Sequence, residues 1–104
     1  MLNITKDNFR SEVIESRVPV IVDWYASWCG SCKVISPLLD SIAEAMPGCK
    51  FIKIDADEEH ELCNEYGIRN LPTILIFKGG KMAGKIIGAF PIEELRTKIK
   101  NIVD

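Results

Sequence analysis

The opening residues, Met1-Leu2-Asn3-Ile4-Thr5-Lys6-Asp7, lack the basic stretch and apolar run of a secretion signal. No segment of the chain approaches the roughly 20 apolar residues of a membrane span. These two absences argue against export and a membrane anchor and set a cytoplasmic address as the expectation. Charge of one sign is also missing. With 13 basic against 15 acidic residues, no positive field exists to hold nucleic acid phosphates or an anionic membrane, so neither is expected as a partner. Low-complexity linkers and internal repeats are lacking too, so residues 1–104 read as one domain. The 47% hydrophobic content suffices for a packed core without a metal or a disulfide staple.

The hydrophobic rhythm changes several times along the chain. Phe9, Val13 and Ile14 make a short apolar face for a helix near Asp7 to Ser16, with Thr5 or Asp7 available as its cap. Pro19-Val20-Ile21-Val22-Asp23-Trp24-Tyr25-Ala26 lacks polar alternation, as a strand covered on both faces should. Ile35, Leu38, Leu39, Ile42 and Met46 then recur at helical spacing, and Met46-Pro47-Gly48 ends the pattern. Pro37 lies inside that helix, where it removes a hydrogen bond and predicts a kink. Phe51 to Asp55 reads as a strand, and Glu58 to Tyr66 as a helix closed by Gly67. Thr73 to Lys78, the Gly79-Gly80 turn and Lys81 to Ala89 form a hairpin. Pro91 opens a last helix whose Leu95, Ile99, Ile102 and Val103 face inward. Helices between buried strands, with a late hairpin, define an α/β fold: a mixed sheet flanked by helices.

The four cysteines carry the chemistry. Cys29 and Cys32 lie three apart where a buried strand ends and a helix begins, so one helical turn brings their Cβ atoms to roughly 5 to 6 Å. That separation permits a reversible disulfide. Cys29 at the helix N-terminus meets unpaired N–H groups and the positive end of the helix dipole, which favour its thiolate. Cys32, one turn inside and less exposed, stays protonated until a mixed disulfide forms and then resolves it. A CxxC alone is also compatible with half a zinc site or with two core thiols. A zinc site would need Cys49 and Cys63 to converge on the pair without a second CxxC; both read more simply as small core or surface residues.

Around the pair stand several candidates. Asp23 interrupts an apolar strand six residues before Cys29, on the face of Tyr25 rather than of Trp24. Burial would raise its pKa and let it take the proton of Cys32, directly or through one water; the plain alternative is a carboxylate satisfied by backbone or a lysine. Trp28 either offers an apolar surface to a protein substrate or is core, like Trp24. Leu71-Pro72 begins a strand, and the residues alone leave its peptide bond cis or trans. Gly88, before Ala89 and Phe90, permits close approach of another chain or marks a bulge. His60, in a charged helix, reads as solvated.

Taken together, Asp23, Trp28-Cys29-Gly30-Ser31-Cys32-Lys33, Pro37, Tyr66-Gly67-Ile68-Arg69, Leu71-Pro72-Thr73, Phe77-Lys78-Gly79-Gly80 and Gly88-Ala89 resemble the thioredoxin family in order and spacing over essentially the whole chain. The resemblance implies a three-layer thioredoxin fold, a central mixed sheet of four or five strands with four helices, and a cis bond before Pro72. It implies a protein disulfide reductase and electron donor that binds no cofactor and is recycled by a thioredoxin reductase fed by NADPH or ferredoxin. Disulfide-containing proteins would be its substrates, and a monomer its expected state. The substrate groove would comprise Trp28, Gly30, Leu71, Pro72, Gly88 and Ala89 with Ser31 beside it, a substrate segment pairing along the Leu71 backbone.

Two positions depart from the common family pattern. Phe51 stands where some members carry a buried lysine near the aspartate, which leaves Asp23 without that cation. Ser31 replaces the usual proline; it restores a backbone N–H and adds a hydroxyl close to Cys29. Extra donors stabilise the thiolate, so Ser31 should make this protein a weaker reductant than its Ser31→Pro variant. Rival readings are a donor dedicated to one enzyme, an isomerase-like oxidant, and a binding subunit that uses the groove without turnover.

Overall fold

Runs of apolar residues too long to alternate must be covered on both faces, and here they become the centre of the sheet. The computed structural model describes all 104 residues, Met1–Asp104. Its elements are β1 (Leu2–Asn3), β2 (Val20–Tyr25), α1 (Gly30–Ala45), β3 (Lys50–Asp55), α2 (His60–Tyr66), β4 (Thr73–Lys78), β5 (Lys81–Ile87) and α3 (Ile92–Val103). A π-helical segment at Arg10–Ile14 precedes β2. The five strands lie in the order β1-β3-β2-β4-β5. β1 and β2 both run parallel to β3, whereas β4 is antiparallel to β2 and to β5.

Strand alternation divides the core into two layers. Val20, Val22 and Trp24 of β2 pack with Phe9, Val13 and Leu62 under the π-helical segment and α2. Ile21, on the other face, packs with Ile35, Leu39 and Ile42 of α1 and with Leu95 and Ile99 of α3. The three α1 residues are fully buried, and each contributes about 2 kcal/mol by leaving water. They pin the N-terminus of α1 against the C-terminal end of β2, where the cysteines lie.

Some elements differ from the sequence expectation. The two exposed residues of β1 carry no hydrophobic rhythm; only pairing of Leu2 with Ile52 and Asn3 with Lys53 makes them a strand. The first helix is shorter than Asp7 to Ser16 and wound wider, with the Glu15 N–H donating to the Arg10 carbonyl at 2.9 Å. Phe9 and Val13 are its only buried residues, too little apolar surface to hold a longer helix. Neither Thr5 nor Asp7 caps it: Thr5 Oγ1 accepts from the Asp7 N–H, closing a turn ahead of the segment. α2 starts at His60 rather than Glu58, because the Glu58 and Glu59 N–H groups donate to the Asp55 carbonyl and the Glu59 carboxylate accepts from the Lys6 N–H at 2.7 Å.

The hairpin ends at Ile87 rather than at Ala89, and its bulge falls elsewhere than expected. Ile76 faces Gly84 and Phe77 faces Met82, which leaves Ala83 as the extra residue. Gly84 is the glycine packed closely within the chain, where an added β-carbon would lie 2.6 Å from Ile102 Cδ1. Gly88 has a φ of +97°, which favours glycine, and its N–H donates to the Pro72 carbonyl at 3.0 Å. α1 runs continuously through Pro37.

Candidate active site

Cys29 caps α1 in an extended conformation, and its sulfur accepts a hydrogen bond from the Cys32 N–H at 3.2 Å. A helix start normally leaves that donor unpaired. The cap is therefore a sulfur atom, lying where the helix dipole favours negative charge. The two cysteines are joined as a disulfide with Cα atoms 5.3 Å apart. Cys29 is 6% exposed and Cys32 2%. Both are more covered than an open surface thiol, and the order of access is the expected one. Ala26 and Leu71 pack around the pair. Ser31 Oγ lies 3.5 Å from Cys29 Sγ.

Asp23 lies on the α1 side of β2, alternating with Val22 and Trp24 as the strand period requires. It is fully buried, and neither carboxylate oxygen has a hydrogen-bond partner. No backbone group or lysine hydrogen-bonds to it, although Lys53 acts on it through charge. An unpartnered buried carboxylate is costly when charged. Burial pushes the Asp23 carboxyl up to about 7, with Lys53 pulling it down and Asp40 pushing it further up. The expected lack of a cation is a correction: Lys53, two residues beyond Phe51 on the same strand face, is the direct neighbour of Asp23 between β2 and β3. Side-chain alternation on β3 was the signal that would have found it. A cleft of about 320 Å³, lined by Tyr25, Ala26, Ser27, Cys32, Lys33, Ser36 and Lys53, opens beside the pair.

Trp28 is not core. It is 69% exposed, and its indole N–H donates to Asp57 Oδ2 at 2.8 Å, a partner that sequence reasoning missed because 29 residues separate the two. Trp28 and Leu71 share the wall of a second cleft of about 280 Å³ with Asp57, His60, Cys63 and Arg69. The Leu71-Pro72 peptide bond is cis. Of the groove residues, Gly30, Ser31 and Ala89 are exposed, Leu71 and Gly88 half-buried, and Pro72 buried. Pro72 thus contributes its backbone, tied to Gly88, rather than an open side-chain surface. His60 is exposed, as expected.

Cys49 and Cys63 do not converge on the pair. Cys63 packs in the layer beneath α2 and Cys49 in the opposite layer. Burial raises both thiol pKa values; Asp104 adds to the effect at Cys49, and Asp57, Glu59 and Asp55 add to it at Cys63.

Fold and site define a class: an α/β protein with a redox-competent CxxC pair at the start of a helix that follows a central strand. The sequence model of the thioredoxin family matches residues 1–101. The chloroplastic M-type thioredoxin of Chlamydomonas reinhardtii is 48% identical over 89 residues, 85% of this chain and 64% of that protein. Thioredoxin M4, chloroplastic, of Arabidopsis thaliana is 43% identical over 102 residues, 97% of this chain and 53% of that one. Thioredoxin 1 of Nostoc sp. is 43% identical over 89 residues, 85% of this chain and 83% of that protein. The chain thus spans between half and two thirds of the two chloroplastic relatives and most of the third. It belongs to the thioredoxin family.

Proposed function

We propose that this protein reduces disulfides in other proteins by reversible exchange through Cys29 and Cys32. The Cys29 thiolate attacks one sulfur of the substrate disulfide; the substrate bond breaks, a mixed disulfide forms, and the other substrate sulfur leaves as a thiolate that takes a proton from solvent. Cys32 then gives its thiol proton to the Asp23 carboxylate, directly or through one water, and attacks Cys29 Sγ. The mixed disulfide breaks, the second substrate sulfur leaves as a thiolate that takes a proton from solvent, and two electrons have moved from the pair to the substrate. Asp23 later returns its proton to solvent. A group titrating near 7 suits that exchange at neutral pH.

The observation that carries this reading is the cap of α1, a cysteine sulfur bound by the N–H of its own partner cysteine. Trp28, Gly30, Ser31, Leu71, Gly88 and Ala89, over the Pro72 backbone, form the surface on which a substrate segment would lie. Backbone pairing at Leu71 would give affinity with little sequence preference. A thioredoxin reductase drawing on NADPH or ferredoxin would restore the dithiol, and the protein would act as a one-domain monomer in the reducing cytoplasm.

Reduction of insulin disulfides, driven by each reductase system in turn, tests the proposal. The wild type should turn over with one of them, and replacing Cys29 and Cys32 by Ser should abolish that turnover. Full cellular activity in the same double variant would instead favour a binding subunit.

A further inference from the structure

The near balance of charge over the whole chain conceals a segregation. Residues 55–65 include Asp55, Asp57, Glu58, Glu59, Glu61 and Glu65, whereas Tyr66 to Ile92 contain no Asp or Glu and carry Arg69, Lys78, Lys81 and Lys85. β2, β3 and β5 run in one direction, so their C-terminal ends share one end of the sheet. Asp57 lies just past the end of β3 and holds the Trp28 indole. Gly88 and Ala89 lie just past the end of β5. In the order β1-β3-β2-β4-β5, those two ends stand three strand spacings apart, about 14 Å, with the CxxC pair and Pro72 between them. The groove therefore runs from a negative flank to a positive one, and a protein segment lying in it meets opposite fields on its two sides.

On the positive side the surface is hollow. Lys85, Ile87, Phe90, Lys98, Asn101 and Ile102 line a cleft of about 330 Å³ between β5 and α3. It adjoins the groove, because Ile87 and Phe90 flank Gly88 and Ala89 on the chain. Ile87 is 47% exposed and Phe90 half-buried, which leaves the cleft an apolar surface open to solvent. The Lys98 ammonium lies 4.7 Å from the centroid of the Phe90 ring, and attraction to the ring face holds it there. Neither lysine of the cleft is neutralised: the cations paired with carboxylates are the Met1 ammonium, Arg10, Lys50 and Arg96. Glu93, near the start of α3, is taken by Arg96 at 2.7 Å. Lysines on an edge strand guard it against pairing with another sheet. That accounts for Lys81 and Lys85 but not for Lys98, which lies on a helix.

We propose that the β5–α3 cleft is a specificity subsite for substrate proteins that carry acidic residues on one side of the reactive cysteine. A carboxylate of the substrate segment sits between Lys85 and Lys98, and an apolar neighbour lies on Ile87 and Phe90. The inference rests on the reading of this protein as a disulfide reductase and narrows the substrates of that reaction. Backbone pairing at Leu71 is indifferent to side chains; the two flanks are not. An acidic residue on the other side of the cysteine meets Asp57 and the carboxylates that follow it, and is repelled. The subsite thus fixes which way a segment lies as well as which segments are preferred. A net charge of −2 would by itself disfavour an acidic partner, so a preference for one has to come from this local placement.

Three peptide disulfides test this through kcat/KM: one with a Glu-Glu pair N-terminal to the reactive cysteine, one with the pair C-terminal to it, and one with Gln-Gln instead. One acidic placement should exceed the Gln-Gln peptide about fivefold at low ionic strength, as an exposed ion pair allows, and the other should fall below it. Salt at 1 M should erase the gain, since the screening length drops to about 3 Å. Lys98→Met, which keeps an apolar stem on Phe90, and Lys85→Gln should each reduce the gain. Arg17→Gln, the same loss of charge at an exposed position before the far end of β2, should leave it in place. Equal rates for the three peptides, an equal gain from both placements, or a gain that survives both cleft substitutions would overturn the proposal. Amide NMR on the oxidised full chain, with a cysteine-free version of the preferred acidic peptide, reads docking without turnover. Shifts at Lys85, Phe90 and Asn101 are expected; shifts confined to Leu71 and Gly88 would count against the subsite. Shifts of the cleft amides that depend on protein concentration without peptide would assign the cleft to residues 55–65 of a second copy, and would likewise overturn it. If the acidic peptide docks in the cleft but no peptide disulfide is reduced, the subsite stands and the reductase reading falls.

Discussion

The chain holds two sets of cysteines, and only one lies where sulfur can do redox work. Cys29 caps a helix at the end of a central strand, its sulfur bound by an N–H and its partner one turn away. Cys49 and Cys63 are half-buried on opposite sides of the sheet, in surroundings that raise their pKa values. The residue type is constant, so the difference is one of field and solvation: helix N–H groups stabilise a thiolate, whereas burial near carboxylates stabilises a thiol.

The strongest way to break that comparison is to remove one sulfur. Cys29→Ser should abolish insulin reduction. Cys32→Ser should stop turnover after the first step and trap mixed disulfides through Cys29; a lysate that yields no covalent partner would count against a resolving role. Next in size is Asp23→Asn, which should slow reduction at pH 7 about 100-fold, the lower end of what a positioned acid or base supplies. The defect should be localised to release of the mixed disulfide, as stopped-flow with a model disulfide would show.

The same substitution has a stability consequence of known sign. Asp23 has a folded pKa of about 7 against 3.8 unperturbed. Between those values the folded state binds the proton more tightly, so its stability falls as pH rises from about 4 to 7 and is level above that. The integrated loss is about 4 kcal/mol. Asp23→Asn should remove this pH dependence, and urea unfolding at pH 5 and pH 8 would reveal it. A wild-type stability that does not decline between those pH values would contradict the buried, unpartnered carboxyl.

Ser31→Pro is a smaller change. It removes a hydroxyl 3.5 Å from Cys29 Sγ and a backbone donor, and should lower the reduction potential by about 30 mV, the equivalent of one modest hydrogen bond. Equilibration with glutathione measures it; an equal or higher potential in the variant would sink the assignment. The smallest effect should come from Cys49→Ser and Cys63→Ser. Insulin reduction should be unchanged within error, and in the reduced wild type iodoacetamide should label Cys29 before either of them at pH 7.

Much of this site was legible before folding. Cys29, Cys32 and Asp23 could be placed because local rules reach them: a strand–helix junction, a three-residue spacing and a break in an apolar run. From its neighbours on the chain Trp28 fits core or surface alike, and only the family resemblance puts it in the substrate groove. Lys53 shares a strand face with Phe51 through the period of two along β3, so its place beside Asp23 depends on the pairing of β2 with β3. Asp57 and the exposed β1 residues carried no local signal at all; their partners, Trp28 and β3, are distant in sequence.

The sequence by itself determined the α/β layering, the position of the CxxC pair at a helix start and the inequality of its two thiols. These follow from hydrophobic period, capping and the helix dipole, which act over a few residues. Tertiary structure alone decided the cis bond before Pro72, the pairing of β1, the exposure of Trp28 and the place of Lys53 beside Asp23. Each depends on which distant strand or loop comes alongside, and that is settled by register and packing across the whole sheet.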